Sequence, residues 1–274
     1  MLDYLVLGHI AQDLTPEGVR LGGTAAYAGL TAHALGLRTG LLTAAADEAV
    51  LDALAPLEVR RLPSPHSTVF ENRYGPLGRT QFLHSRAEPL TPASLPDNWR
   101  GSDIVHLGPI ANEVDPDLIA QFPKAFIGLT PQGWMRRWNE NGKVQRGEWA
   151  QADPMLATAS ATVISIEDVA EDWKLAERWG ALARVLVVTE GPAGATLFWK
   201  GERQRFPAPP VNVVDATGAG DIFAATFFIK LHQTGDAPTA VRFAIALASD
   251  SVTRVGIAGV PTTAAIRAAL DFEV

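Results

Sequence analysis

Short runs of aliphatic and β-branched residues recur along the chain and alternate with segments whose apolar residues follow helical spacing. Unbroken apolar runs of this length are typical of strands that are buried on both faces of a sheet. Amphipathic stretches at 116–122 and 167–183 separate several of them. The alternation predicts an α/β fold with a mainly parallel sheet and helices on both faces. The predicted strands lie within 3–10, 103–110, 125–130, 161–166, 184–190 and 194–199.

Residues 67–74 and 79–86 differ, because polar and charged residues are mixed into both runs. Gly75-Pro76-Leu77-Gly78 joins the two runs and predicts a hairpin turn. Strands this polar suit a projecting β flap better than the middle of a buried sheet. We therefore expect one domain over 1–274, with lid elements near 11–21 and 67–90.

The remaining segments give weaker patterns. Residues 131–153 are polar and tryptophan-bearing without a clear period, which predicts a long loop. Near the carboxyl end, small and apolar residues predict helices over 221–233, about 238–251 and near 262–270.

Composition narrows the function classes. The chain has 274 residues, a formal net charge of −7 and no cysteine, which excludes disulfides and thiolate metal sites. An acidic chain without a Lys/Arg run is a poor candidate for nucleic-acid or membrane-surface binding. The amino terminus lacks a basic leader and no apolar run reaches about 18 residues, so we expect no membrane span and a cytoplasmic protein.

Several common catalytic motifs are absent from the sequence. There is no GxxxxGK[ST] phosphate loop, no HExxH and no GxSxG. The dinucleotide fingerprint fails because Phe223 stands where its third glycine belongs. The six histidines show no metal-ligand spacing.

The most informative stretch is 211–228, where a β-branched run ends at Asp215 and a glycine-bearing turn leads into a helix near Asp221. Unpaired backbone N–H groups at a helix N-terminus bind anions, and glycines at 218 and 220 let an anion approach closely. A carboxylate there could take a proton from a hydroxyl that attacks phosphorus. An ordinary N-cap role for Asp221 remains the alternative.

Three motifs in order resemble the PfkB (ribokinase-like) carbohydrate kinases: the double glycine Gly22-Gly23, VVTEGPAG at 187–194, and DATGAGD at 215–221. The resemblance runs through essentially the whole chain. It implies a ribokinase-like three-layer α/β sandwich with a mainly parallel central sheet and a small β flap. The segments LGGTAAYAGL, HLGPIANEVDP and LTPQGWMRRW are most similar to the myo-inositol kinase branch.

The resemblance implies roles for residues at both ends of the chain. Asp221 matches the general base, and the backbone amides of Gly218, Ala219 and Gly220 match the anion hole. Asp13 matches an aspartate that binds substrate hydroxyls, although a solvated loop acid is the alternative. Gly22 and Gly23 match paired glycines that let the acceptor lie against the backbone.

Some positions depart from the family pattern. Tyr27 stands where asparagine is common, so its ring either packs against a substrate or belongs to the core. Gln132 and Thr130 replace the usual asparagine and aspartate of a D-P-N-x-R-like segment. Arg136 either steadies a phosphate or the acceptor, or is simply an exposed arginine.

The donor side is implied by further matches. The ATP-binding positions are Thr189, Gly191, Gly218, Gly220 and Gly256. Asp168, with Glu167 as the second choice, keeps the acidic group of a degraded motif that positions Mg²⁺ through water. Asp215 and Thr217 match ligands of a monovalent cation, but Val260 stands at the usual last hydroxyl ligand, which leaves a K⁺ requirement open.

These observations together predict ATP-dependent phosphorylation of a hydroxyl on a small carbohydrate or polyol, with myo-inositol as the first choice and Mg²⁺ as counter-ion. Another sugar or nucleoside kinase of the same family, or a non-catalytic sugar- or nucleotide-binding homologue, is the alternative. We expect a small-molecule partner only, in a monomer or a homodimer formed through the flap.

Overall fold

The computed structural model describes residues 1–47, 51–75 and 78–271. Two residues of the predicted hairpin turn, Pro76 and Leu77, lie outside this part of the chain. The strands are β1 (Tyr4–Leu7), β2 (Ala11–Thr15), β3 (Gly18–Gly22), β4 (Thr39–Ala45), β5 (Glu58–Pro63), β6 (Thr68–Gly75), β7 (Gly78–Ser85), β8 (Ile104–Leu107), β9 (Phe126–Leu129), β10 (Arg136–Trp138), β11 (Val144–Arg146), β12 (Ala161–Ser165), β13 (Val185–Thr189), β14 (Ala195–Trp199) and β15 (Glu202–Phe206). The helices are α1 (Thr24–Ala34), α2 (Ala152–Thr158), α3 (Trp173–Leu182), α4 (Ala219–Thr234), α5 (Ala237–Ser251) and α6 (Thr263–Asp271).

A nine-stranded sheet forms the centre of the molecule, in the order β15-β14-β13-β12-β9-β8-β1-β4-β5. The seven strands from β13 to β5 in this order pair in parallel, while β14 and β15 are antiparallel additions at one edge. The parallel sheet predicted from the apolar runs is confirmed. Its strands are nearly continuous hydrophobic runs because helices cover both faces of the sheet.

The period of two along β1 divides its side chains between two cores. Tyr4 and Val6 face a core built with α1, α4 and α5. Leu5 and Leu7 face the opposite core, which α2 and α3 complete. Helices on both faces of one sheet give the predicted three layers.

The segment 131–153 is more ordered than the loop predicted for it. It contains a 3₁₀ turn over Pro131–Met135, the short antiparallel pair β10–β11, and the start of α2. Trp134 and Trp149 are buried and stack with ring centroids 5.7 Å apart, which ties both ends of the segment to the core. Strands of three residues are too short to produce a readable period, and the prediction of a loop was wrong for that reason.

A second, four-stranded sheet stands beside the main one, in the order β3-β2-β6-β7, and we call it the flap sheet. Strand β2 runs parallel to β6, and the β2–β3 and β6–β7 pairs are antiparallel. Phe70 and Leu83 form its small core together with Ile110. The small β flap of the predicted fold class is thus present.

The helix boundaries near the carboxyl end lie close to those predicted. Helix α4 begins at Ala219, two residues before the expected start, because Gly218 adopts φ 80° as its N-cap. Among the residues that the structure describes, no helix is long and apolar enough to cross a lipid bilayer.

Candidate active site

A cavity of ≈280 Å³ lies between the main sheet and the flap sheet, and we call it the central cavity. It opens where β9, β12 and β13 end, and ligands of open α/β sheets bind at the carboxyl ends of the strands. Most of the site residues predicted from the sequence line it: Asp13, Gly23, Tyr27, Gln132, Arg136, Asp168, Thr189, Asp215, Thr217, Gly218, Gly220 and Asp221. Gly22, Ala219, Glu167, Gly191 and Gly256 are not among its lining residues.

The turn before α4 leaves backbone N–H groups facing the cavity. Gly218 accepts the first helical hydrogen bond from the amide of Ile222, and Gly220 lies in the first turn, where amides have no helical partner. The amide of Ala219 donates instead to the carbonyl of Ala216 at 3.2 Å. Gly218 and Gly220 line the cavity, so the amino-terminal end of α4, a position that suits an anion, faces it.

Asp221 lies at the end of the cavity formed by α4, and its carboxylate accepts a hydrogen bond from Thr24 Oγ1 at 2.6 Å. Burial raises the pKa of Asp221 to about 6, against the hydrogen bond from Thr24 and the charge of Arg136, which lower it. Asp13 and Asp168 raise it further by like-charge repulsion. A carboxylate with this pKa is ionised at neutral pH and is still basic enough to accept a proton.

The double glycine shapes the opposite wall. Gly23 adopts φ 88°, and a β-carbon there would lie 2.7 Å from the carbonyl oxygen of His9. At Gly22 a β-carbon would lie 2.0 Å from Asp13 Oδ2, so this glycine leaves room for the Asp13 carboxylate. The pair thereby brings Asp13 and the start of α1 to the cavity.

Tyr27 links the two helix starts that meet at the cavity. Its side chain is 1% exposed, and a β-carbon at Gly218 would lie 2.3 Å from its ring atoms. Burial, together with the negative charges of Asp221, Asp13 and Asp215, raises the pKa of Tyr27. Tyr27 both lines the cavity and packs under the turn at Gly218, so the two alternatives given for it from sequence are compatible.

Gln132 and Arg136, in the segment that follows β9, line another side of the cavity. Hydrogen bonds hold both side chains in place. Gln132 Nε2 donates to Asp168 Oδ1 at 2.9 Å. Arg136 Nη1 donates to the carbonyl of Ile110 at 2.8 Å, and its guanidinium lies over the Phe70 ring at 5.3 Å. A fixed positive charge therefore faces the cavity, on the same wall as the Asp168 carboxylate.

Asp168 is the acidic residue best placed to approach a metal ion. Its Oδ2 accepts the amide of Ser165 at 2.8 Å, and burial raises its pKa, although the bonds from Ser165 and Gln132 oppose that rise. Glu167 is exposed and lines a neighbouring cavity of ≈240 Å³ instead. Within the described parts of the chain, no three or more acidic or histidine side chains cluster as a metal site.

Asp215 is bound mainly by the backbone around the turn. Thr217 donates its amide to Oδ1 at 2.9 Å, and Gly256 donates its amide to Oδ2 at 3.0 Å. Arg20 of the flap sheet lies 3.9 Å from Oδ2. Burial raises the pKa of Asp215, but the hydrogen bonds from Thr217 and Gly256 outweigh it, and the net shift is downward.

Apolar surface lies beside this turn. Val213 and Val214 are 55% and 56% exposed, and Val255 is 45% exposed. Their segments are adjacent, because the amides of Val214 and Asp215 both donate to the carbonyl of Val252. Thr189 lines the cavity from the end of β13, and Gly191, at φ 56°, begins the following turn.

Sequence reasoning missed several residues of the cavity: Thr24, Phe70, Asn72, Gln81 and Ile110. Phe70 and Asn72 are two positions apart on β6, so a period of two in the flap hairpin could have identified them. Thr24 carried no such signal, because its partner Asp221 is 197 residues away.

The part of the chain that contains the turn and α4 is similar to a known protein family. Residues 159–263 match the sequence profile of the pfkB family carbohydrate kinases, a span that contains the turn, Asp221 and all of α4 and α5. Over these residues the chain is similar to the PfkB-family carbohydrate kinases, and its curated relatives include proteins named cytidine kinase, fructokinase and inositol 3-kinase.

Two curated relatives match this chain along most of its length. A cytidine kinase from Thermococcus kodakarensis is 23% identical over 277 residues, covering 93% of this chain and 98% of the relative. An inositol 3-kinase from Zea mays is 26% identical over 282 residues, covering 93% of this chain and 73% of the relative.

A solved structure shares the fold. It is a pyrophosphate-dependent kinase of the ribokinase family in complex with a pyrophosphate analog and myo-inositol. It has a TM-score of 0.82 and 23% identity, and the match covers 98% of this chain and 99% of that one. The predicted ribokinase-like fold is confirmed.

Proposed function

We propose that this protein transfers the terminal phosphoryl group of ATP to a hydroxyl of a small neutral polyol, with myo-inositol as the first candidate. The observation that carries the proposal is the position of Asp221. Its carboxylate lies in a cavity shared by the helix start that suits an anion and by the polar wall that suits an acceptor.

In the proposed reaction, Asp221 accepts the proton of the attacking hydroxyl. The hydroxyl oxygen forms a bond to the γ-phosphorus, and the bond from that phosphorus to the β–γ bridging oxygen breaks. The products are ADP and a phosphate monoester, and the proton leaves from Asp221 to solvent. The hydrogen bond from Thr24 orients the carboxylate for this step.

Charge on the transferred group requires fixed donors. The amide of Gly220 and the start of α4 supply partial positive charge on one side, and the guanidinium of Arg136 supplies a full charge on the other. A single preorganised donor of this kind lowers a barrier by ~3 kcal/mol.

The residues present fit Mg²⁺ held mainly by the donor phosphates. Mg²⁺ is commonly bound through one or two carboxylates with several waters retained, and Asp168 offers lone pairs beyond those used by Gln132 and Ser165. When bound, the ion neutralises charge on the β- and γ-phosphates. Asp215 and Thr217 are the proposed contacts for a monovalent cation such as K⁺.

ATP and pyrophosphate are the two candidate phosphoryl donors. The exposed valines 213, 214 and 255 favour ATP, because they offer an apolar surface for a purine beside the turn. Pyrophosphate is the second candidate, since a structural relative of 23% identity is described as dependent on it.

The size and lining of the cavity support a small polyol as the acceptor. A volume of ≈280 Å³ is just below the usual range of ligand pockets, roughly 300–1,000 Å³, and therefore suits a small acceptor. Its polar lining, with Asp13, Asn72 and Gln81 among the acceptor-side groups, suits several hydroxyls. Myo-inositol is preferred because of the inositol kinase relative; a nucleoside is the alternative because of the cytidine kinase relative.

A donor-by-acceptor matrix tests the proposal. Purified protein is incubated with Mg-ATP or Mg-pyrophosphate and with myo-inositol, ribose, fructose, cytidine or adenosine, and products are identified by ³¹P NMR. We expect a phosphate monoester of myo-inositol with ATP. Binding of ATP and myo-inositol without any product in the matrix would instead support a non-catalytic homologue.

A further inference from the structure

Three side chains form a hydrogen-bonded row from the core to the central cavity. Tyr4 Oη lies 2.9 Å from His106 Nδ1, and His106 Nε2 lies 2.8 Å from Thr130 Oγ1. Tyr4 and His106 are completely buried, whereas Thr130 lines the cavity. Only the last of the three can touch a bound molecule.

The direction of the protons along this row follows from counting donors and acceptors. His106 is the one hydrogen-bond partner of the Tyr4 hydroxyl within the described residues. If Nδ1 carried the proton and Tyr4 accepted it, the phenolic proton would be buried without an acceptor, which is costly. Tyr4 therefore donates to Nδ1, and the imidazole proton is on Nε2.

The imidazole stays neutral in this arrangement. Burial lowers the pKa of His106 to about 3, so the ring carries one proton at neutral pH. Its orientation is fixed by an edge-on contact with Phe228 of α4, with ring centroids 5.1 Å apart. His106 Nε2–H then donates to Thr130 Oγ1, and the Thr130 hydroxyl proton is directed elsewhere.

Nothing else in the described structure takes up that proton. Thr130 stands at the N-cap of the turn over Pro131–Met135, a position where threonine commonly bonds the backbone, yet its side chain makes no capping bond. Its oxygen lies near Thr24, because a β-carbon at Gly108 would be 3.3 Å from Thr130 Oγ1 and 2.5 Å from the Thr24 methyl. Thr24 in turn bonds Asp221.

We infer that Thr130 is held as a hydrogen-bond donor to the acceptor substrate, with Tyr4 and His106 as buried positioning residues that set the direction of its proton. The inference rests on the proposed function for the identity of the substrate. In this role, Thr130 selects an acceptor substrate that presents an oxygen with a free lone pair.

The chemical class of the acceptor follows from this polarity. A hydroxyl group can accept from Thr130 and still donate to a carboxylate such as Asp13, which also lines the cavity. An ammonium group has no lone pair for Thr130, and a deoxy carbon has none either. The site therefore prefers a polyol over its amino or deoxy analogue.

The tautomer is tested first, on the wild-type protein, by ¹⁵N–¹H NMR of histidine-labelled material. The His106 signal is assigned from its absence in His106→Gln. We expect a neutral ring protonated at Nε2 throughout pH 5–8. A ring protonated at Nδ1, or an imidazolium at pH 7, overturns the inference whether or not the protein is a kinase.

The second test separates acceptor from donor binding. Thr130→Val should raise the KM for myo-inositol ~10-fold and leave the KM for the donor within ~2-fold, while Thr130→Ser stays within ~3-fold of wild type. Thr162→Val is the matched control, because Thr162 is a buried threonine outside the cavity whose hydroxyl has no partner in the described structure. An unchanged acceptor KM in Thr130→Val overturns the inference.

Tyr4→Phe tests the positioning role at a distance, since this side chain cannot touch substrate. Removing the phenolic donor makes the two tautomers of His106 comparable, which the NMR signal reports directly. We expect the acceptor KM to rise ~3–10-fold with an unchanged donor KM. A mixed tautomer of His106 with an unchanged acceptor KM would overturn the positioning role of Tyr4.

Absence of turnover with myo-inositol in the wild-type protein would count against the proposed function. The measurement of the His106 tautomer does not depend on turnover and would still test the inference.

Discussion

At the scale of single residues, the pair Thr24–Asp221 decides the acid–base behaviour of the site. The Asp221 carboxylate must be ionised to accept a proton, and its pKa of about 6 is set mainly by burial. Thr24 opposes that effect, because its hydroxyl stabilises the charged form through a 2.6 Å hydrogen bond.

This balance predicts the pH dependence of the reaction. The value of kcat/KM should be level above pH 7 and fall as the pH drops through about 6, approaching tenfold per unit. Thr24→Val should raise the pKa of Asp221 and lower the rate at pH 6 by about 2–5-fold more than at pH 8. Thr24→Ser is the control, since it keeps the hydroxyl.

The measurement is a pH–rate profile of the three proteins from pH 5 to 8.5. If kcat/KM of Thr24→Val falls at the same pH as that of the wild-type protein, the result would contradict the role of the Thr24–Asp221 hydrogen bond.

The same raised pKa has a consequence for stability. The folded protein holds a proton on Asp221 up to about pH 6, whereas the unfolded chain loses it near the ordinary value of 3.8. The ionised group therefore destabilises the folded state progressively as the pH rises from about 4 to 6. Asp221→Asn should be more stable than wild type at pH 7 by about 1–3 kcal/mol, and the two should converge near pH 4. Urea unfolding at both pH values checks this, and equal stabilities at pH 7 would argue against a desolvated carboxylate.

At the scale of elements, two helix starts converge on one cavity. Helix α1 begins after Gly23 and α4 begins after Gly218, and the ring of Tyr27 packs against Gly218. The two glycines with positive φ were visible in the sequence, but their common neighbour was not, because α1 and α4 are almost 200 residues apart. The conformation of the glycine-bearing turn therefore depends both on packing against Tyr27 and on the positive φ that Gly218 allows.

Substitutions at the turn separate these effects. Gly218→Ala combines φ 80° with a clash at 2.3 Å against Tyr27, so it should lose about 2–4 kcal/mol of stability and most activity. Gly220→Ala meets nothing within 4 Å and has no positive φ, so it should fold with unchanged or slightly higher stability. Its methyl group would lie at a cavity-lining position, and donor binding should weaken. Thermal unfolding and donor KM values test both variants; equal stabilities would refute the packing argument.

A buried carboxylate holds the loops around the cavity together. Glu113 is 1% exposed and accepts the amides of His9, Ile110 and Ala111 at 3.1, 3.0 and 2.6 Å. Glu113→Gln places an NH₂ group against backbone donors and should destabilise the protein by about 2–4 kcal/mol. The exposed Glu140→Gln is the matched control and should stay within about 0.5 kcal/mol. Chemical denaturation distinguishes the two, and a neutral Glu113→Gln would mean that the loops are held by other contacts.

At the scale of the whole molecule, the sheet was predictable and the cavity only partly so. Apolar runs predicted the parallel strands because burial on both faces leaves a signal within each run. The strand order and the position of the flap sheet left no such signal, since they depend on pairing between distant segments. Asp221 and Asp13 were found through motifs, whereas Thr24 and the Tyr4–His106–Thr130 row required coordinates.

In the proposed reaction, the start of α4 binds the donor phosphates and the Asp221 carboxylate activates the acceptor. Both act in the central cavity. The most direct measurement compares Asp221→Asn with wild type for phosphoryl transfer to myo-inositol and, by calorimetry, for ATP binding. We predict a loss of turnover of about 10³-fold or more with ATP affinity within about 3-fold of wild type. Transfer at the wild-type rate by Asp221→Asn would contradict the account.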